Sequence, residues 1–273
     1  MEQRKARRRE AMTEGPLTPV RAEVEAALRT PEAAPSGDLV LYLIRQCPLF
    51  QGLPPEGWAE AAACARAWSG PHGAVLFREG EPAVAFGVVY AGRVKLTQRA
   101  RSGAEALVRV VGEGQAFAWP GLFADGVYLA SAAALEPARA LVWDRPGVDE
   151  LFTRFPVLAH SARHVVSRRM RELQDRWREL ADDRVPERLA RTLLRVVQPD
   201  GRRFEDGVFP SVPLSRREIA QLTGTTLFTV SRLFGQWERA GVLTASRERV
   251  VVTDPAALRR LLPDRRPRSP LSR

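Results

Sequence analysis

The stretch PLSRREIAQLTGTTLFTVSRLFGQWERAGVLTASRERVVV, Pro213 to Val252, constrains this chain more than any other. Ser215 and Glu218 stand three apart before an apolar periodic run, the spacing of a capping box in which each side chain satisfies the other's free backbone N–H. The helix they open is expected to stop at Thr223-Gly224, where glycine takes the left-handed turn without steric cost. A second helix, capped by Thr225 or Thr226, ends before Gly241. Ala220 is small enough for the two helices to approach closely, and Ile219, Val230, Leu233 and Trp237 supply a small core. Two short helices about a glycine turn make a helix-turn-helix. Beyond it, VLTASRERVVV reads as two short strands around a polar turn, a wing, and Asp254-Pro255 caps a last helix.

The second helix carries an anomaly. With Val230 at the origin and ~100° per residue, Leu233, Phe234 and Trp237 fall within about 60° of it. Leu227 lies at roughly +60°, on the edge of the same stripe, where partial burial is expected. Phe228 lies near ~160°, on the polar face with Ser231, Arg232, Gly235 and Arg239. An aromatic ring therefore stands where a DNA-reading helix would offer a polar group.

Charge agrees with a polyanionic partner. From Asp183 onward 18 Lys and Arg stand against 10 Asp and Glu, whereas residues 1–182 hold 24 against 22. Nearly all of the formal +10 therefore lies in the last third, as expected if that part meets nucleic acid.

The remaining text divides into segments. Residues 1–38 are charged and rich in Pro, Ala and Glu, and read as a disordered arm whose basic cluster Arg4–Arg9 is a solvated tail, with contact to DNA phosphates the alternative. A short helix over Pro19–Arg29 is conceivable within it. From Leu39 to about Arg66 the pattern is helix, turn, helix, with Pro48 as the break. From Gly70 short runs (AVLF, AFGVVYAG, RVKLTQR, ALVRVVGEG, QAFAW, ARALVWDR) alternate with glycine turns at ~8–12 residue spacing, which suits an antiparallel barrel or jelly roll. Residues 39–155 are thus a β-rich unit with flanking helices.

Residues 156–182 form one long helix in which Val166, Met170, Leu173, Trp177 and Leu180 are spaced 4, 3, 4, 3. That is the seam of a two-stranded coiled coil, and it implies a homodimer rather than a helix packed only on its own barrel. A further amphipathic helix, Pro186–Val197, ends at the turn 199–201. Residues 183–273 make up the winged helix-turn-helix unit, and the fold class is α+β.

Several classes are excluded. No apolar run approaches the ~20 residues of a membrane span, and MEQRKARRRE is followed by no apolar signal segment, so no membrane partner and a cytoplasmic location are expected. Cys47 and Cys64 make neither a disulfide framework nor a metal signature; they read as core residues, with redox sensing the alternative. A cupin-type metalloenzyme, also a jelly roll, needs clustered ligands, and the β region offers only His72. No catalytic set is visible, and the chain does not read as an enzyme.

At LSRREIAQLTGTTLFTVSRLFGQWERAGVL the chain resembles the CRP/FNR (cyclic-AMP receptor/fumarate-nitrate regulator) family of bacterial transcription factors, and the likeness runs from roughly Leu39 to Leu262. The resemblance implies a cyclic-nucleotide-binding-like jelly roll, a dimerisation helix at Pro156–Asp182, and a homodimer on an inverted repeat of double-stranded DNA, with RNA polymerase as a further partner. Carried over position by position, Arg232 reads a guanine edge, Ser231 faces a base, and Arg216, Arg217, Thr226 and Thr229 hold phosphates. Ser246 and Arg247 of the wing reach phosphates as well. Where the family often has a glutamate this chain has Phe228, which is expected to contact a thymine methyl instead.

The resemblance also implies an effector pocket around the segment Gly121-Leu122-Phe123. Its ribose-binding glutamate is replaced here by Trp119, and its phosphate-binding Arg-Ser pair by Leu129-Ala130, or by Ala130-Ser131 in a shifted register. No cation remains at that position, so cyclic AMP is not expected to bind. An iron–sulfur cluster needs four cysteines and is not expected. His160 and His164, one turn apart on a helix, keep haem open as an alternative. The pocket takes an unknown small apolar or aromatic effector or none, the latter leaving a constitutive or architectural DNA-binding protein.

Overall fold

In the computed structural model, residues 35–100, 103–123, 126–197 and 211–262 are described. Residues 1–34 of the N-terminal arm, its possible helix over Pro19–Arg29 and the turn at 199–201 lie outside them, while the arm's expected end at 38 is too late, since Gly37 already begins a helix capped by Ser36. The described chain opens with α1 (Gly37–Gln46), capped by the Ser36 hydroxyl, which accepts from Leu39 N–H, then a short 3-10 turn at Pro48–Phe50 and α2 (Pro55–Cys64). The expected helical text to about Arg66 is too long, because Arg66–Gly70 is strand β1 and pairs antiparallel with β8. Trp68 explains the change, since alternation places its ring inward at 3% exposure.

Seven further strands follow: β2 (Val75–Phe77), β3 (Ala85–Ala91), β4 (Val94–Arg99), β5 (Glu105–Val111), β6 (Ala116–Phe117), β7 (Ser131–Ala134) and β8 (Ala138–Asp144). A short helix, α3 (Trp119–Phe123), interrupts them. They form two four-stranded antiparallel sheets in the orders β1-β8-β3-β6 and β2-β7-β4-β5. The predicted jelly-roll class is therefore observed, although β1 and β7 were not foreseen.

Between the sheets and helices lies one apolar core. Trp143 is fully buried with Phe50 and Phe86 at ring separations of 5.0 and 5.1 Å, and its Nε1–H donates to the Ala61 carbonyl at 2.8 Å, fastening α2 to β8. Gly87 permits this layering, because a Cβ there would meet the Phe117 ring at 2.4 Å.

After α4 (Arg145–Arg154) comes α5 (Val157–Asp182). Its inward face is apolar only at the start: Leu158 is buried, and Val157, Ala162 and Val165 pack on the jelly-roll core. From Arg169 the same face carries Glu172, Arg176 and Glu179. The adjoining stripe is left half exposed or more, with Val166, Met170, Leu173, Trp177 and Leu180 at 52, 55, 48, 75 and 50% exposure, and Leu173 and Leu180 also border the cavity between α5 and the second sheet. The long helix thus has two separate apolar uses, one on its own barrel and one facing solvent.

The last unit comprises α6 (Val185–Val197), β9 (Ser211–Val212), α7 (Arg216–Thr223), α8 (Leu227–Arg239), β10 (Leu243–Ala245), β11 (Val250–Val252) and α9 (Pro255–Arg260). The capping box at Ser215 and Glu218 is complete in both directions. Gly224 has φ 65°, and Thr226 caps α8 by accepting from Thr229 N–H. Ile219, Val230, Leu233 and Trp237 are all buried as expected. The wing has an extra strand, because β9 pairs with β11 in the order β10-β11-β9. The α5–α6 junction is tied by a buried network in which Glu179 receives Arg195 in a two-pronged pair at 2.9 and 3.0 Å, while Arg191 spans Glu179 and Asp183.

Candidate nucleic-acid interface and sensor cavity

The outward face of α8 emerges from the way its inner face is used. Val230, Leu233, Phe234 and Trp237 are buried against α7 and the wing, so residues about half a turn away must face solvent. Phe228 is 78% exposed, Arg232 is exposed and Ser231 half-buried. The three base-reading candidates therefore share one open surface. Leu227 departs from expectation: it is 51% exposed rather than partly buried. As the first residue of α8 it lies ahead of the turn that α7 covers, so its angular position earns it no packing.

The candidate phosphate contacts divide. Arg217 and Arg247 are exposed, and neither has a hydrogen bond or ion pair among the described residues. Thr226 and Thr229 share a hydroxyl contact of 2.9 Å at the head of α8, where backbone N–H groups already favour an anion. Ser246 is exposed in the wing turn, its N–H donating to the Arg249 carbonyl at 2.8 Å. Arg216 is drawn back over the Phe234 ring at 5.9 Å and towards Glu238 at 3.9 Å. Its Nε is buried without a partner. In this conformation Arg216 braces the helix pair instead of projecting from it.

The helix-turn-helix unit docks on the second sheet through β5, an edge strand. Gln221 of α7 covers that edge as another strand would: its Oε1 accepts from Leu107 N–H at 3.1 Å and its Nε2 donates to the Glu105 carbonyl at 3.2 Å. Lys95 Nζ reaches Glu218 at 3.4 Å, and Arg93 donates to the Ser211 carbonyl at 3.3 Å. Leu107 of β5 and Leu135, just past the end of β7, are buried within the core of the DNA-binding unit.

A cavity of about 600 Å³ lies between the second sheet, α3, α5, α6 and α7. Trp119, Leu129 and Ala130, the positions proposed for an effector, line it together. Just before them Ala118 has φ 68°, a left-handed conformation that favours glycine and sets the direction in which α3 starts. Phe77 and Tyr128 stack at 3.8 Å on the same wall. The sequence reading missed the opposite wall, where Arg109, Arg169 and Arg176 enter from β5 and α5. Burial, then the neighbouring Arg169, pushes Arg109 down to about 10, and burial with Arg195 does the same to Arg176.

The other sensor candidates are placed plainly. Cys47 is fully buried, and burial pushes its thiol up to about 11, the environment of an inert core residue; Cys64 is half-buried. His160 and His164 approach at 2.8 Å between ring nitrogens on exposed α5 surface, while His72 is held by the Leu135 carbonyl at 2.8 Å. Among the described residues no three His, Cys, Asp or Glu cluster as a metal site would require, and no helix is long and apolar enough to cross a membrane.

Comparison with known proteins gives the same division. Residues 69–155 match the family model of the cyclic nucleotide-binding domain and residues 187–261 that of the Crp-like helix-turn-helix domain; together the two matches take in more than half of the chain. The chain is 27% identical to a CRP-like cAMP-activated global transcriptional regulator of Mycobacterium tuberculosis, over 80% of this chain and 97% of that one. It is 29% identical to a cyclic AMP receptor protein of Thermus thermophilus, over 77% and 94%. The solved structure of FixK2 from Bradyrhizobium japonicum, 23% identical, has the same fold at a TM-score of 0.61, covering 74% of this chain and 99% of that one. With a jelly roll, a long helix and a winged helix-turn-helix in the same order, the chain belongs to the CRP/FNR family of transcription regulators, which act by binding DNA and not as enzymes.

Proposed function

We propose that this regulator works as a homodimer on an inverted repeat of double-stranded DNA, with α8 of each protomer in a major groove. The observation that carries the reading is the exposed face of α8, where Phe228, Ser231 and Arg232 stand clear of a helix otherwise buried along its inner stripe. Arg232 reads a guanine edge through its paired N–H donors, a contact worth ~1–3 kcal/mol of discrimination. Phe228 has no hydrogen-bonding group and meets the methyl of a thymine. Arg217, Arg247, Thr226, Thr229 and Ser246 hold the flanking phosphates, and Arg216 joins them on leaving Glu238. A dimer so bound at a promoter has RNA polymerase as its neighbour. The sensor responds to something other than cyclic AMP, since Trp119, Leu129 and Ala130 replace the groups that would hold its ribose and phosphate.

Selection from randomised duplexes tests this reading. The wild-type protein is expected to enrich an inverted repeat with half-site centres about one helical turn apart, ~10–10.5 base pairs. Arg232→Ala is expected to lose the guanine preference, and Phe228→Glu to shift preference from thymine towards cytosine. Enrichment of no repeat at all would refute the function; an unchanged preference in Phe228→Glu would remove Phe228 from the readout.

A further inference from the structure

The cavity is apolar at one end and cationic at the other, and its positive charge is not balanced from within. At the cationic end Arg169 is paired with Glu172 and Arg195 with Glu179. Arg176 donates only to the Val108 carbonyl, at 3.0 Å. Arg109 has neither a hydrogen bond nor an ion pair among the described residues. Two guanidiniums thus line a partly enclosed space with no carboxylate within ion-pairing distance of either. Such an arrangement is costly unless an anion completes it. The other end is formed by Phe77, Leu96, Phe117 and Trp119, side chains that offer contact area to an apolar body. The volume of about 600 Å³ falls in the range of small-molecule sites.

We propose that this cavity takes a small organic anion carrying a terminal carboxylate, sulfonate or phosphate, with the head on Arg109 and Arg176 and an aromatic or branched body against Trp119 and Phe77. The chemistry differs from that of a nucleotide held at the ribose and phosphate positions, because the charge sits at the far end, on β5 and α5. Burial first, then the charge of neighbouring arginines, lowers both guanidiniums, and an anion set against them would offset both effects. A bound anion would also touch the α7 residues Gln221 and Leu222, which line the same cavity.

The test uses the full chain without DNA, so its failure leaves the DNA-reading proposal standing. The probe is 8-anilinonaphthalene-1-sulfonate, with N-phenyl-1-naphthylamine, the same rings without the sulfonate, as its neutral counterpart. The wild-type protein is expected to bind the sulfonate at one saturable site, with energy transfer from tryptophan that falls in Trp119→Phe. Arg109→Gln and Arg176→Gln are each expected to weaken the sulfonate at least ~10-fold while changing the neutral dye less than ~2-fold. Arg109→Gln should melt no lower than wild type, because the group removed has no partner to orphan. Equal sulfonate affinity in wild type and both variants, no saturable sulfonate binding, or parallel loss of both dyes would each overturn the assignment.

Discussion

Single residues shape the apolar end of the cavity. Under the proposed function, Trp119, 6% exposed, sets an indole where a ribose hydroxyl would need an acceptor, and Leu129 and Ala130 bring no cation to a cyclic phosphate. The arginines on the far wall do not repair this, because a nucleotide turned to set its phosphate on them would leave its ribose 2′-hydroxyl and adenine nitrogens against apolar groups. Burying such an anion unpaired costs several kcal/mol. Calorimetric titration with cyclic AMP is therefore expected to give no saturable heat in the micromolar range; micromolar affinity would show that the replaced positions are not the ones that matter. On α8, Leu227 and Phe228 give the converse lesson. Both face solvent, but only Phe228 was legible as exposed, because helical angle locates a face and says nothing about where the packing neighbour ends.

At the scale of elements, what was legible was local. The capping box, the left-handed glycine and the stripe of α8 each depend on residues a few positions apart, and the helix-turn-helix appears where they place it. Strands β1, β7 and β9 were missed for physical reasons: Arg66–Gly70 continues helical text, Ser131–Ala134 lacks alternation, and Ser211–Val212 is only two residues long. The arginine wall was illegible because Arg109 and Arg176 are far apart in sequence and only the fold brings them together. The apolar stripe of α5 was legible as a periodicity, and its exposure carries a prediction. Five apolar side chains at about half exposure or more along one stripe have roughly half or more of the ~1.5–3 kcal/mol of a full side-chain burial still to gain. A Met170→Glu, Trp177→Glu double variant sets like charges across the seam of a parallel pair. Sedimentation is expected to show wild-type dimers and variant monomers, with the melting of the jelly roll unchanged because these side chains face away from it. Dimers in the variant would mean that α5 is not the contact.

Across the whole molecule, the jelly roll and the DNA-binding unit share material. Leu107 and Leu135 belong to the jelly roll by chain position but are buried in the core of the DNA-binding unit, so separating the two would expose both, at ~1.5–3 kcal/mol each. The Lys95–Glu218 pair adds little, since both side chains are about a quarter exposed and such pairs contribute ~0–1 kcal/mol. The directional part of the contact is Gln221, whose amide makes both an acceptor and a donor bond to the open edge of β5. Because Gln221 and Leu222 also line the cavity, a ligand there would act on α7 directly. Gln221→Ala should leave the Leu107 N–H without its acceptor, a loss of ~0.5–1.5 kcal/mol, or up to about tenfold in local opening. Hydrogen exchange is expected to speed at Leu107 by roughly that factor, with exchange of the α8 core residues Val230 and Leu233 also faster and the Trp143 region of the jelly roll unaffected. Unchanged exchange at Leu107 would mean that the edge of β5 is covered by something other than Gln221, and would remove α7 as the route from cavity to DNA.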